Sequence, residues 1–240
     1  MPRSKLTIAW IAAALGVAAA ISLGNWQTRR GDAKVTLQAQ ADAAERAAPV
    51  DLTSRSSIAS VAASLPRRVR VTGAFDPTGT VLLDNRIVNG IAGYQVITPL
   101  VIADGLPEIL IERGWKPRSA GASVAETLAP PPSGRVTIEG LAVPRPSTVL
   151  ELGSAPKLAV PGIWQNVDYD AYEKVAKRSV ARFVVRQAIS TGEADNLRRE
   201  WPQPASGVDK HRGYAFQWYA LAVLICALAA YFGWKNWRGR

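Results

Sequence analysis

Two long uncharged stretches frame this 240-residue chain. No Asp, Glu, Lys or Arg occurs in the 23 residues from Leu6 to Thr28, or in the 22 from Gly213 to Trp234. Each exceeds the roughly 20 apolar residues that carry a helix across about 30 Å of hydrocarbon. A segment in lipid must satisfy its own backbone N–H and C=O groups, so both read as transmembrane helices. Between them the pattern changes. "TLQAQADAAERAA" (36–48) is rich in helix formers and stops at Pro49, so it continues or follows the first span as helix. "SSIASVAASLP" is a shorter helical segment. From Arg67 onward, short runs of alternating apolar and polar residues are broken by Gly, Pro, Asn and Asp, the pattern of half-buried strands. They are "RRVRVTGAF", "TVLLDNR", "GYQVITPLVIA", "EILIERGW", "RVTIEGLAV" and "VARFVVRQA". "DGLP" joins the third and fourth runs as a hairpin. "DYDAYEKVAKR" is a short amphipathic helix with Asp at its start, and "AGASVAETLAPPPSG" is a loop.

Six strands, mostly in meander order, imply an antiparallel sheet closing into a sandwich or partial barrel with small helices. The expected fold class is a membrane α+β protein, two transmembrane helices flanking an antiparallel β-rich extracytoplasmic domain. The expected boundaries are a cytoplasmic amino end at 1–5, a span at 6–27 and a helical connector at 28–66. The β-rich domain follows at 67–190, then a connector at 191–212, a span at 213–234 and a cytoplasmic end at 235–240.

Charge sets the orientation only in part. Lys and Arg number 29 against 19 Asp and Glu, a net charge of +10. Half of the excess lies in Arg3, Lys5, Lys235, Arg238 and Arg240, with no acid beside them. The rest is interspersed with the acids, with no basic stripe among aromatics, so nucleic acid is not the expected partner. Basic termini favour the cytoplasm, but Arg29, Arg30, Lys34, Lys210 and Arg212 make the opposite flanks basic too. The signal-like amino end argues for export of the chain beyond it, which puts the middle domain outside. A cleaved signal peptide is the rival reading of the first span, and that span is longer than the ~7–15 apolar residues usual for one.

Candidate chemistry is sparse. The single cysteine, Cys226, lies inside the second span, and the single histidine, His211, stands just ahead of it. A nucleophile–base site has no free imidazole to draw on, and HExxH, P-loop, GxGxxG and GxSxG patterns are absent. No enzymatic activity is expected.

Several stretches together resemble a known family. "SLGNWQTRR" (22–30) closes the first span with Gly-x-Trp-Gln-x-x-Arg, and "VRVTGAFDPTGTVLLDNR" is followed by "GIAGYQVITPL" and "ILIERGWKPR". Trp164 and Asp168 share a W-x3-D spacing, and "HRGYAFQWYALA" opens the second span. In this order they resemble the surfeit locus protein 1 family of cytochrome c oxidase assembly factors, over about residues 22–232. The resemblance implies a two-span inner-membrane protein of the bacterial cell membrane, with its domain on the periplasmic side. It implies a chaperone-like role in the respiratory chain, helping to insert haem a into subunit I of the oxidase, with haem a synthase as a further partner beside membrane lipid. The family's Asn-rich "P-x-N-x-P" segment is replaced here, residues 149–163 reading "VLELGSAPKLAVPGI".

Within that frame His211 is the expected haem-iron ligand, since neutral imidazole is a standard iron ligand. On a helix extended outward from the span, His211, Tyr214, Ala215, Trp218, Ala222 and Ile225 share one face on which a porphyrin could lie. Read without the resemblance, His211 is an interfacial residue of an aromatic belt. Trp26 and Gln27 end the first span at the same interface, and Gln27 and Gln217 could bond to each other or to a haem substituent. Arg86 and Arg113 are a candidate pair for propionates or partner docking. Gly114 and Trp115 read as a strand-end turn and a core lid, and Gly93 as a site of positive φ or close packing. Tyr94, Thr98 and Pro99 read as structural. Trp164 and Asp168 read as a helix start with Asp168 at the N-cap. The alternative function is a haem-independent membrane scaffold that binds oxidase subunits through the β domain.

Overall fold

The computed structural model describes residues 3–119, 121, 130–150, 159–188, 195–201 and 207–238. The chain divides into two compact units, one of residues 1–39 and 203–240 and the other of residues 40–202.

The first unit is a pair of helices. Helix α1 runs unbroken from Arg3 to Arg46, so the Ala-rich 36–46 segment extends the span rather than starting a new helix. The last helix, α4, runs from Val208 to Arg238. Only 11% of the apolar window of either helix is buried. A core helix of a soluble domain would hide most of that surface, whereas lipid is the medium in which exposed Ile, Leu, Val and Phe carry no penalty. The chain is therefore a membrane α+β protein.

The second unit carries the sheet. Its strands are β1 (Val50–Asp51), β2 (Arg67–Phe75), β3 (Val81–Val88), β4 (Ile91–Val101), β5 (Glu108–Pro117), β6 (Arg135–Val143), β7 (Gly162–Trp164) and β8 (Val180–Gln187). All six expected strands are present, and β1 and β7 are additions of two and three residues. The strand order is β1-β2-β6-β8-β5-β4-β3-β7, with a further β2–β4 pairing through Ala74–Val101 and Phe75–Leu100. That short pairing closes β2, β6, β8, β5 and β4 into a ring, a partial barrel. The sheet is mixed rather than antiparallel, because β1–β2, β3–β7 and β5–β8 are parallel. Only β3, β4 and β5 form the expected meander.

The alternating pattern explains how the strands pack. Val69 and Val71 of β2, Ile109 and Ile111 of β5, and Phe183 and Val185 of β8 meet in one buried cluster. Ile58 and Val61 of helix α2 (Arg55–Ala62) join them. The opposite side chains, among them Leu110, Leu141 and Val184, form a second cluster with Trp164 of β7 and with Tyr172 of helix α3 (Tyr169–Ala176). At roughly 25 cal/mol per Å² of apolar surface, these two layers are the main stabilising force of the unit.

The connector expected at 191–212 is anchored where it is described. Trp115 and Arg198 exchange backbone hydrogen bonds of 2.7 and 2.8 Å, and Trp201 Nε1 donates to Gln187 O. Most of the 149–163 segment (151–158) and most of the expected 120–134 loop lie outside the described residues, as do 189–194 and 202–206.

Candidate functional site

In the helix pair, contacts step down α1 as they step up α4. A Cβ built on Gly31 would lie 3.6 Å from His211 Cβ, one on Gly24 only 2.6 Å from the Tyr219 ring, and one on Gly16 3.4 Å from Ile225. A Cβ on Gly233 would meet the Trp10 ring at 2.9 Å. The helices are thus antiparallel, and small residues let the larger partner side chain approach. Gly24 is the tightest of these. Its lack of a side chain seats Tyr219, whose hydroxyl donates to Asn25 Oδ1 at 2.7 Å and lies 3.4 Å from Thr28 Oγ1.

Toward the start of α4 from Tyr219, this ladder holds His211. Its Nδ1 is 2.7 Å from Gln27 Oε1. An amide oxygen can only accept, so Nδ1–H is the donor of this bond, and in the neutral ring the lone pair then lies on Nε2. Orientation of an imidazole through its second nitrogen is the usual way a protein readies a histidine for a metal. His211 lines a cleft of about 470 Å³ with Gln27, Lys34, Gly207, Lys210 and Tyr214. That volume lies within the usual range for small-molecule pockets, roughly 300–1,000 Å³. The cleft is thus lined by one imidazole, two lysines and one phenol ring.

The helices bring together only some of the expected residues. Gln27 bonds to His211 and not to Gln217, which is exposed. Ala215 and Ala222, expected on a ligand-bearing face, are buried on the stripe that contacts α1. Ile225 shares that stripe, so the platform is reduced to His211 and Tyr214 beside a half-buried Trp218. Trp26 points outward with the Arg30 guanidinium 5.8 Å from its ring centroid, and does not line the cleft. Sequence reading missed Tyr219, Lys34 and Lys210. The spacing of Gly16, Gly24 and Gly31, eight and then seven residues, is the signal that marks the packed face.

In the sheet unit the paired-arginine expectation is corrected. Arg86 is 4% exposed and Arg113 is 0% exposed, so neither offers its guanidinium to a partner or a propionate. Arg86 donates to Gln95 Oε1, Asp84 O and Gln165 O, and burial pulls its pKa below the usual arginine value. Arg113 is the extra residue of a bulge, because Val96 pairs with Gly114 and Ile97 with Glu112. It donates to Pro130 O, pairs with Asp195 at 3.5 Å and stacks on Phe75. Beside it, Glu112 is fully buried and pairs with Arg186 at 3.1 Å. Burial raises the pKa of Glu112, and the Arg186 charge opposes that rise. These groups hold the fold.

The remaining expectations for this unit are structural and are placed as follows. Gly93 is needed for close packing, since a Cβ would lie 2.2 Å from Lys116 O and 2.5 Å from the Trp115 ring. Gly114 has φ +152°, and its missing side chain admits Leu197. Trp115 is buried and its Nε1 donates to Arg86 O at 2.8 Å. Tyr94 is buried under the Arg118 guanidinium, Thr98 bonds to Thr80, and Pro99 pairs with Leu110. Asp168 caps α3, accepting from Ala171 N–H at 3.0 Å, and Trp164 packs on Tyr172.

Comparison with known proteins converges on one family. The SURF1 family model matches residues 14–223. A SURF1-like protein of Dictyostelium discoideum is 35% identical over 103 residues, covering 40% of this chain and 38% of that protein. An uncharacterized SURF1-like protein of Mycobacterium bovis is 32% identical over 77 residues, covering 32% of this chain and 26% of that protein. The matches thus span less than two fifths of the length of these curated relatives. The family match itself takes in both the His211–Gln27 pair and the ring of strands, and the chain belongs to the SURF1 family.

Proposed function

We propose that this chain is an assembly factor for haem–copper cytochrome c oxidase, carrying haem a as cargo to subunit I. The observation that carries the reading is the 2.7 Å bond from His211 Nδ1 to Gln27 Oε1, which leaves Nε2 unengaged by that bond in a cleft lined also by Lys34 and Lys210. The residues present fit such a cargo on one side. His211 would hold the iron, Lys34 and Lys210 would neutralise propionates, and Tyr214 would lie against the ring edge. The bound group would supply the redox-active iron of the finished oxidase. The chain has one histidine, so a second imidazole cannot come from the same chain. A site held from one side suits handover, because a closed pair of ligands would trap the cargo.

In this reading both termini are cytoplasmic, the sheet unit is periplasmic in the bacterial inner membrane, and haem a synthase is the donor. Complementation tests it. In cells lacking the chain, wild type restores haem a in the oxidase and His211→Ala does not. Equal restoration by both would favour the scaffold reading, in which the sheet unit binds oxidase subunits without haem.

A further inference from the structure

The end of the helix pair far from His211 holds a second feature, independent of the haem reading. Between α1 and α4 lies a groove of about 630 Å³, walled by Trp10, Ala13, Leu228, Ala229 and Phe232. Lys235 and Asn236 close one end of it. Ala13 and Ala229 contribute only methyl groups, which leaves the groove open. From Ile225 to Asn236 the wall runs about 17 Å at 1.5 Å per residue, on the scale of a fatty acyl chain.

Charge decides what the groove accepts. No Asp or Glu occurs in residues 1–31 or 210–240, while Lys235, Arg238, Arg3, Lys5 and Arg240 all lie near the chain ends. The Arg238 guanidinium sits 4.4 Å from the Trp234 ring centroid, which holds a cation on an indole of the kind found at membrane interfaces. An apolar channel that ends at Lys235 and Asn236, with Arg238 one turn further along α4, matches an amphiphile with an anionic head. We propose that this groove is a specific site for an anionic diacyl phospholipid. One acyl chain lies along Ala13 and Ala229, and the phosphate meets Lys235 and Arg238. Asn236 donates to the phosphate or to the headgroup hydroxyls. A zwitterionic lipid fills the same groove but brings its own cation to the cationic end.

The experiment is native mass spectrometry of the full chain, stripped of lipid in detergent and offered equal amounts of phosphatidylglycerol and phosphatidylcholine with identical acyl chains. Phosphatidylglycerol adducts are expected to exceed phosphatidylcholine adducts at least fivefold, the scale of one basic residue acting on an anionic headgroup. In Lys235→Gln/Arg238→Gln the two lipids are expected to bind equally. In Ala229→Phe, which fills the groove, both adducts should fall. Should that variant misfold, as read by helical circular dichroism, the charge variant still decides. Equal binding of the two lipids by wild type overturns the proposal, as does a preference that survives the charge variant. Displacement of phosphatidylglycerol by soluble glycerol phosphate would overturn it too, by assigning the site to a free phosphate.

Discussion

Gly93→Ala perturbs the second unit where its packing is tightest. The new methyl would sit 2.2 Å from Lys116 O, a backbone atom held in the β4–β5 ladder, and 2.5 Å from two carbons of the Trp115 indole. The carbonyl cannot rotate away without breaking the ladder, so strand and indole must both move. Overpacking of a filled site costs about 1–3 kcal/mol. Displacing the indole also breaks the Nε1–H bond to Arg86 O, about 1 kcal/mol net. Alanine recovers roughly 0.5–1 kcal/mol of the entropy that glycine loses. The expected destabilisation is about 2 kcal/mol, or a Tm lower by roughly 4–8 °C for a chain of this size. Gly105→Ala is the control. Gly105 has φ +75° but nothing within 4 Å of its would-be Cβ, so the left-handed backbone penalty of about 1–2 kcal/mol applies, less the same entropy recovery, with no packing cost. Thermal unfolding of the full chain in detergent, followed by circular dichroism in the β region, compares the two. A Gly93→Ala variant no less stable than Gly105→Ala would refute the packing argument.

Three further outcomes rest on single side chains. Asp168→Ala removes the cap that accepts from Ala171 N–H and should cost about 1 kcal/mol in the same unfolding assay. Tyr219→Phe deletes the hydroxyl bond to Asn25 and should weaken the helix pair by about 0.6 and at most about 1.7 kcal/mol, read as lowered resistance to unfolding in mixed micelles. Hydrogen bonds from Arg70 and then Arg68 hold the Glu139 carboxyl below its ordinary pKa. A depressed native pKa gives stability that is complete above the unfolded value near ~4.3 and is lost as pH falls through the native value. Glu139→Gln should therefore be less stable than wild type at neutral pH and converge with it in acid, as measured by denaturant midpoints across pH.

How much could be read in advance depended on the range of each interaction. Alternation along β2, β3, β4, β5, β6 and β8 is local, and all six strands were legible. The two-residue β1 and three-residue β7 are too short to show a period. Ring closure rests on two residue pairs between β2 and β4 and on the parallel β5–β8 pairing across some 70 residues, neither of which leaves a local trace. Arginine reads as a surface residue in any composition argument. Arg86 and Arg113 are buried because carbonyls, Gln95 and Asp195 supplied by distant segments satisfy them. His211 stands out in the sequence as the single imidazole, but its partner does not. Gln27 lies 184 residues away, and the helix register that selects it over Gln217 is set by Gly24 and Gly31 seating Tyr219 and His211. The charge pattern marks the basic ends of the chain, but the groove between the helices near Lys235 arises only when Ala13 and Ala229 are packed opposite one another.

The role of His211 is tested most directly by an optical spectrum of the detergent-purified chain, produced in cells that make haem a, with wild type beside His211→Ala. A reduced haem a α-band is expected in the wild type and its loss in the variant, at unchanged helix content. A band of equal strength in both proteins, or in neither, would contradict the assignment of His211 as the haem ligand.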